Sequence, residues 1–209
     1  MEEQFEFITS WDDGRKEDLK LAKLLLKYQI PAIFYIPSNT ELVSATILGL
    51  YQQGFEIGGH TNTHPGDLKK LRDSEQFTEI MSNKTFLENI LSSIGDVEVT
   101  SFCYPSGNYN EITIECLKKA GFLNARTTRV LSTDKPKEPF RTTTTVHVYP
   151  KRKEYKEETW LEVAKKLYKE AKDKKGYYHL WGHSWEIEKY SLWEELEDLF
   201  KHIKESRET

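Results

Sequence analysis

Short apolar runs with a period near two alternate along this chain with longer stretches of helical periodicity. Phe5-Glu6-Phe7-Ile8 alternates and is built of β-formers, which predicts a strand running into Thr9-Ser10-Trp11-Asp12-Asp13-Gly14. Residues 18–28 predict a helix, stopped by Pro31. Ala32-Ile33-Phe34-Tyr35-Ile36 predicts a near-continuous apolar strand, and residues 42–53 a second helix closed by Gly54. Phe55-Glu56-Ile57 is a short strand that leads into Gly58-Gly59-His60-Thr61-Asn62-Thr63-His64-Pro65-Gly66. A helix over 74–94, a strand over 100–104, a helix over 112–120 and a weaker strand over 123–127 follow. Residues 141–149 alternate only in part. The amphipathic stretch 159–172 predicts a helix, and 177–181 a strand ending in Gly182-His183-Ser184-Trp185-Glu186. A last helix is expected over 191–206.

Strands that alternate with helices predict a mainly parallel sheet with helices outside it. Roughly seven β/α units fit the length, which favours an α/β barrel or near-barrel over an open sheet. No repeat or linker interrupts the pattern, so one domain is expected over residues 1–209. In such folds chemistry gathers at the carboxyl ends of the strands. Three polar stretches, around Asp12, His60 and His183, lie at such ends, so the topology can bring them together.

Composition narrows the function classes. The net charge is -4, and basic residues such as Lys172, Lys174 and Lys175 are interleaved with acids, so nucleic acid and anionic membranes are poor partners. No apolar run approaches the ~18 to 20 residues of a membrane span. Met1-Glu2-Glu3-Gln4 lacks the basic start of a signal peptide, and Cys103 and Cys116 are too few for a disulfide scaffold. The expectation is a cytoplasmic, reduced protein.

Asp12 and Asp13 are adjacent carboxylates at a strand end. Close like charges must be neutralised, paired or bound to a cation, unless one simply caps the helix that begins near Asp18. His60 and His64 are separated by small polar residues, and Pro65 disfavours helical geometry, so the pair sits on a loop. Two histidines and one carboxylate make three ligands with an open position, a pattern of catalytic Zn²⁺ and also of non-haem Fe(II). The second aspartate favours hydrolysis, which needs a base. His183, flanked by Trp181 and Trp185, is either a histidine packed under aromatics or a general acid tuned by burial and a neighbouring carboxylate. His179 is a weaker candidate. His147 and His202 are expected to be structural or solvent-facing.

Ser10-Trp11-Asp12-Asp13-Gly14, His60-Thr61-Asn62-Thr63-His64, Tyr104-Pro105-Ser106-Gly107 and Leu180-Trp181-Gly182-His183 together resemble the ordered motifs of the polysaccharide deacetylases. These are the NodB-type enzymes of carbohydrate esterase family 4. The resemblance implies a distorted seven-stranded (β/α) barrel and one divalent metal, usually zinc. By the same resemblance Asp13, His60 and His64 are the metal ligands, Asp12 the catalytic base and His183 the general acid. The backbone N–H of Tyr104 is the implied oxyanion donor.

Two departures stand out. Cys103 occupies the place of an arginine that pairs with the base, and the family's fourth motif, an Asp followed by Trp, is not recognisable. Arg126, near the carboxyl end of the next predicted strand, is placed to supply the missing guanidinium, with Arg129 and Arg141 as alternatives. The expected activity is metal-dependent hydrolysis of the N-acetyl amide of an amino sugar or short glycan. The same chemistry on a formamido sugar or cyclic amide is the first rival. A non-catalytic carbohydrate-binding protein, with Trp181, Trp185 and Tyr109 as stacking surfaces, is the second.

Overall fold

A computed structural model describes residues 4–208 of the 209. Met1 to Glu3, on which part of the expectation about a leader rests, lie outside the described residues. Seven parallel strands run β1 (Glu6–Asp12), β2 (Ala32–Ile36), β3 (Glu56–Gly59), β4 (Ser101–Cys103), β5 (Asn124–Arg126), β6 (Val146–His147) and β7 (Tyr177–Gly182). Their order in the sheet is β5-β4-β3-β2-β1-β7-β6. Helices α1 (Asp18–Tyr28), α2 (Ser44–Gln52), α3 (Asp73–Leu91), α4 (Glu111–Lys119), α5 (Trp160–Asp173), α6 (Ser184–Lys189) and α7 (Trp193–Glu208) complete the described fold. The sheet curls into a partial barrel, and the segment before β6 spans its gap. Thr142 bonds the backbone of Ala125 and Thr127 on the β5 side, while the Thr145 and Val148 N–H groups donate to the His179 and Trp181 carbonyls of β7.

The period of two in β1 sorts its side chains. Phe7 and Trp11 join the main core between sheet and helices, where Trp11 meets Phe200 of α7 edge to face at 6.5 Å. Ile8 faces inward and packs with Ile33, Tyr35 and Cys103, a small apolar layer inside the barrel. Ser10 and Asp12 share that inward face, and Ser10 bonds His179 at 2.8 Å. Room for Tyr35 inside the barrel depends on Gly58, because a Cβ there would come within 2.5 Å of the Tyr35 ring. The inner layer is therefore polar and thin at the carboxyl end, and this is where the acidic and imidazole groups collect.

Several elements differ from the sequence expectation. β1 continues past the alternating run of Phe5 to Ile8, through Trp11, and Asp12 is its last residue. Residues 184–189 form α6, a helix the sequence pattern did not indicate, and the predicted last helix begins at Trp193. β6 is only two residues long, because residues 142–148 must pair with β5 at one end and β7 at the other. Among the described residues no helix is long and apolar enough to cross a membrane.

Candidate active site

The carboxyl ends of β1, β3, β5 and β7 bring the predicted residues to one mouth. Asp13 follows β1 with φ 82°, a left-handed conformation that Asp tolerates better than bulkier residues, and it turns the chain so that both carboxylates face the mouth. Thr61 and His64 also adopt positive φ, 68° and 54°, which folds the loop after β3 tightly enough for the two imidazole rings to lie 4.8 Å apart. The loop is held by Glu79, which accepts from the Thr63 N–H and hydroxyl at 2.8 Å each, and by Asn83, which accepts from the His60 N–H at 2.8 Å. Neither Asp12 nor Asp13 caps α1; Glu17 occupies the cap position.

Asp13 Oδ1 lies 3.6 Å from His60 Nε2 and 3.5 Å from His64 Nε2. These separations are too long for good hydrogen bonds and close to what two ligands about 2.0–2.2 Å from a shared cation keep. Asp13 Oδ1 is buried without a hydrogen-bond partner, which is costly unless a cation satisfies it. His60 Nδ1 donates to the Cys103 carbonyl at 2.8 Å, and a carbonyl only accepts, so the Nε2 lone pair faces Asp13. Burial, and then His60, push the His64 pKa down, which keeps that imidazole neutral. Trp185 Nε1 donates to Asp13 Oδ2 at 2.9 Å and leaves Oδ1 as the free oxygen. The donor set fits a divalent metal.

Two other clusters of possible ligands do not fit as well. Asp12, His60 and Cys103 converge, but Arg126 Nη2 already bonds both Asp12 oxygens. His147, His183 and Glu186 converge because they are hydrogen-bonded to one another.

Arg126 and Asp12 form a buried ion pair, and Arg126 also lies 4.4 Å over the Trp181 ring. Of the three arginines considered, the structure brings Arg126 to Asp12, while Arg141 pairs with Glu111 and Glu138 at the surface. The register explains the placement: Arg126 stands directly opposite Cys103 across β4 and β5, and Cys103 Sγ is 3.6 Å from Asp12 Oδ2. Burial alone would raise the Asp12 pKa, but Arg126, His60 and His183 outweigh it and hold the carboxyl below its ordinary value.

His183 Nε2 is 3.9 Å from Asp12 and 4.0 Å from Asp13. Its Nδ1 donates to Glu186 Oε2 at 2.6 Å, and the same oxygen accepts from His147 Nε2 at 3.0 Å. Burial disfavours the imidazolium, but Glu186 and the two aspartates outweigh it, so the His183 pKa is raised. Glu186 is pushed down to about 2, against its own burial, by the two histidines. His147 is pushed down to about 4 by burial and stays neutral, with Nδ1 accepting from Arg152 at 3.2 Å. Glu186 was not singled out from the sequence. Its signal was its place three residues after His183, at the third position of a helix that the pattern did not reveal.

Two expectations need correction. The Tyr104 N–H is not free for an oxyanion, because it donates to the Arg126 carbonyl at 3.2 Å and extends the β4–β5 ladder. Trp181 is no stacking surface: it is buried, with His147 stacked on it at 3.9 Å. Of the two alternatives expected for His147, the structural one holds: it is buried and bonded to Glu186 and Arg152. Tyr109 is stacked on Tyr104 at 4.3 Å, and His179 lies inside the barrel, bonded to Ser10 and Tyr177.

Known proteins share this arrangement of chain. Residues 4–125 match the family described as polysaccharide deacetylase. A curated relative, the candidate polysaccharide deacetylase YxkH of Bacillus subtilis, is 26% identical over 127 residues, 58% of this chain. The match spans 44% of that relative, less than half its length. The solved structure of a candidate polysaccharide deacetylase from Mycobacterium smegmatis superposes with a TM-score of 0.69 at 14% identity, covering 97% of this chain and 85% of that one. A wild-type CE4 family pseudoenzyme from Bacillus anthracis, BA3943, superposes at 0.63 with 16% identity, covering 97% and 62%. At these identities the superpositions speak for the fold: seven parallel strands curled into a partial barrel of the NodB type. The matched span covers more than half of the chain and ends at β5, and this chain belongs to the polysaccharide deacetylase family.

Proposed function

We propose that the protein is a metal-dependent deacetylase that hydrolyses the N-acetyl amide of an amino sugar or short glycan. A pseudoenzyme shares the fold, so the proposal rests on this chain's own side chains. The observation that carries it is the buried, unpartnered Asp13 Oδ1 facing two imidazole Nε2 atoms, with Asp12 and His183 beside it. Asp13, His60 and His64 would hold the divalent ion, and zinc suits two imidazoles and a carboxylate. When bound, such an ion supplies Lewis-acid chemistry, polarising a carbonyl and lowering the pKa of water.

The remaining roles belong to the chain. Asp12 is kept ionised and fixed in orientation by Arg126, so it can accept a proton from the attacking water. His183, held protonated through Glu186, donates to the leaving amine nitrogen. The two groups are 3.9 Å apart, so both reach one small reacting centre. A carbohydrate-binding role alone gives no reason to bury an Asp–Arg pair beside three ligand-type side chains.

The test is release of acetate and formate from a panel of N-acylated sugars by protein stripped with chelator and then resupplied with metal. Acetate release that depends on added metal and falls about 10²- to 10⁴-fold in Asp12→Asn supports the proposal. Metal-independent release, or an unaffected Asp12→Asn, overturns it.

A further inference from the structure

The chain segments that leave the carboxyl ends of the parallel strands β6 and β7 meet at the rim of the mouth. Tyr149 and Tyr190 close the junction, their rings edge to face at 5.3 Å and their hydroxyls 3.4 Å apart. Two ammonium groups converge on the Tyr190 ring: Lys151 Nζ lies 5.6 Å and Lys189 Nζ 5.3 Å from its centre. Lys189 Nζ also stands 5.8 Å over Trp185, whose indole donates to Asp13. The pair of cations is thus set back from the candidate metal ligands by one indole ring, on the side of the mouth that carries His183.

Both side chains are exposed, and among the described residues neither ammonium group forms an ion pair; both rest on aromatic faces. The acids close to them in the chain are taken. Glu154 pairs with Arg152 at 3.0 Å, Glu186 accepts from His147 and His183, and Glu188 pairs with Lys20 at 3.2 Å. Like charges around one ring repel, and an anion lying between them reverses the sign of that interaction. Attraction to a helix C-terminus accounts for a lysine in the last turn of α6, but Lys151 follows Pro150 on a connection with no helix before it. Ammonium groups act as compact point charges and suit the several oxygens of a phosphate, whereas a planar carboxylate is matched best by an arginine fork. The arginine fork on this rim, Arg152, is engaged by Glu154 and the Thr128 carbonyl. The charges left open therefore favour a phosphate.

We propose that Lys151 and Lys189 form an anion site at the rim and that the substrate is an amino sugar carrying a phosphate ester. This deepens the deacetylase proposal and rests on it for the amide; the anion site stands on the two lysines.

The test reads binding, not turnover. Zinc-loaded wild type and the Lys151→Gln/Lys189→Gln double variant are titrated with N-acetylglucosamine, its 1-phosphate and its 6-phosphate, following protein NMR shifts at low and raised salt. Both substituted side chains are exposed, so the fold should survive, and equal zinc content with an unchanged amide spectrum away from the rim verifies this. In wild type at least one phosphate ester should bind about ten- to thirtyfold tighter than the neutral sugar, the weight of two exposed charge pairs, and raised salt should shrink that ratio. In the double variant the ratio should fall to within a few-fold of one. A preference that survives the double substitution puts the phosphate on the zinc ion and overturns the assignment. Wild type that binds neither ester more tightly than the neutral sugar overturns it as well. If the preferred ester binds at the rim but loses no acetate on incubation, the deacetylase proposal fails while the anion site stands.

Discussion

Replacing Glu186 by Gln removes a charge and keeps the shape. Glu186 Oε2 accepts from His183 Nδ1 at 2.6 Å and from His147 Nε2 at 3.0 Å, with the His183 and Glu186 side chains only 19% and 9% exposed. A hydrogen bond to a charged group at such a site is worth about 1.5–3 kcal/mol, and one pKa unit corresponds to about 1.36 kcal/mol. Asp12 and Asp13, 3.9 and 4.0 Å from Nε2, retain part of the attraction. The His183 pKa should therefore fall by about one to two units in Glu186→Gln. An imidazole NMR titration of wild type and variant measures it directly. If His183 is the acid, the alkaline limb of the pH–rate profile should move to lower pH by the same amount, because the protonated form is lost earlier as pH rises. A His183 pKa that stays where it is, or rises, refutes the reasoning.

Further outcomes follow from the same contacts. Arg126→Ala leaves the Asp12 carboxylate buried without its partner, a loss of about 3–5 kcal/mol in stability, and Cys103→Arg added to it should restore part, since the two positions face each other across β4 and β5. Urea denaturation checks both steps, and a double variant no more stable than Arg126→Ala would contradict the pairing. Burial depresses the His147 pKa to about 4, so below pH 6.5 the unfolded chain binds a proton that the folded chain refuses; stability should fall between pH 6.5 and 4. His147→Gln should flatten that part of the stability–pH curve, and a curve of unchanged slope would assign the loss to other groups. Gly58→Ala should cost about 1–3 kcal/mol, because its Cβ meets the Tyr35 ring at 2.5 Å and the Ser101 carbonyl at 3.0 Å; an unchanged melting temperature would show that the inner layer yields.

Much of this was legible in the sequence where a local pattern and a tertiary role coincide. The alternation of Phe5 to Ile8 and the apolar run of Ala32 to Ile36 give strands that stand side by side in the barrel. The polar residues after those runs gather at one mouth because a parallel sheet puts all strand ends on one side. Arg126 could be placed near Asp12 because its strand follows that of Cys103, and strands joined by one helix often neighbour each other. Glu186 was missed because α6 is a helix of only six residues with no apolar period of its own, fixed by the end of β7. The role given to Tyr104 failed because whether its N–H is free depends on pairing with Arg126, a register no local pattern encodes. Trp181 reads as a surface aromatic beside a glycine, yet its ring fills the space between His147 and Arg126, which are 34 and 55 residues away in the chain.

The measurement that bears most directly on the central claim is metal stoichiometry by elemental analysis of stripped and zinc-reconstituted protein, wild type beside the His60→Ala/His64→Ala double variant. The geometry of Asp13, His60 and His64 predicts one bound equivalent in wild type and none in the variant, with both proteins folded. One equivalent retained by the double variant would contradict it.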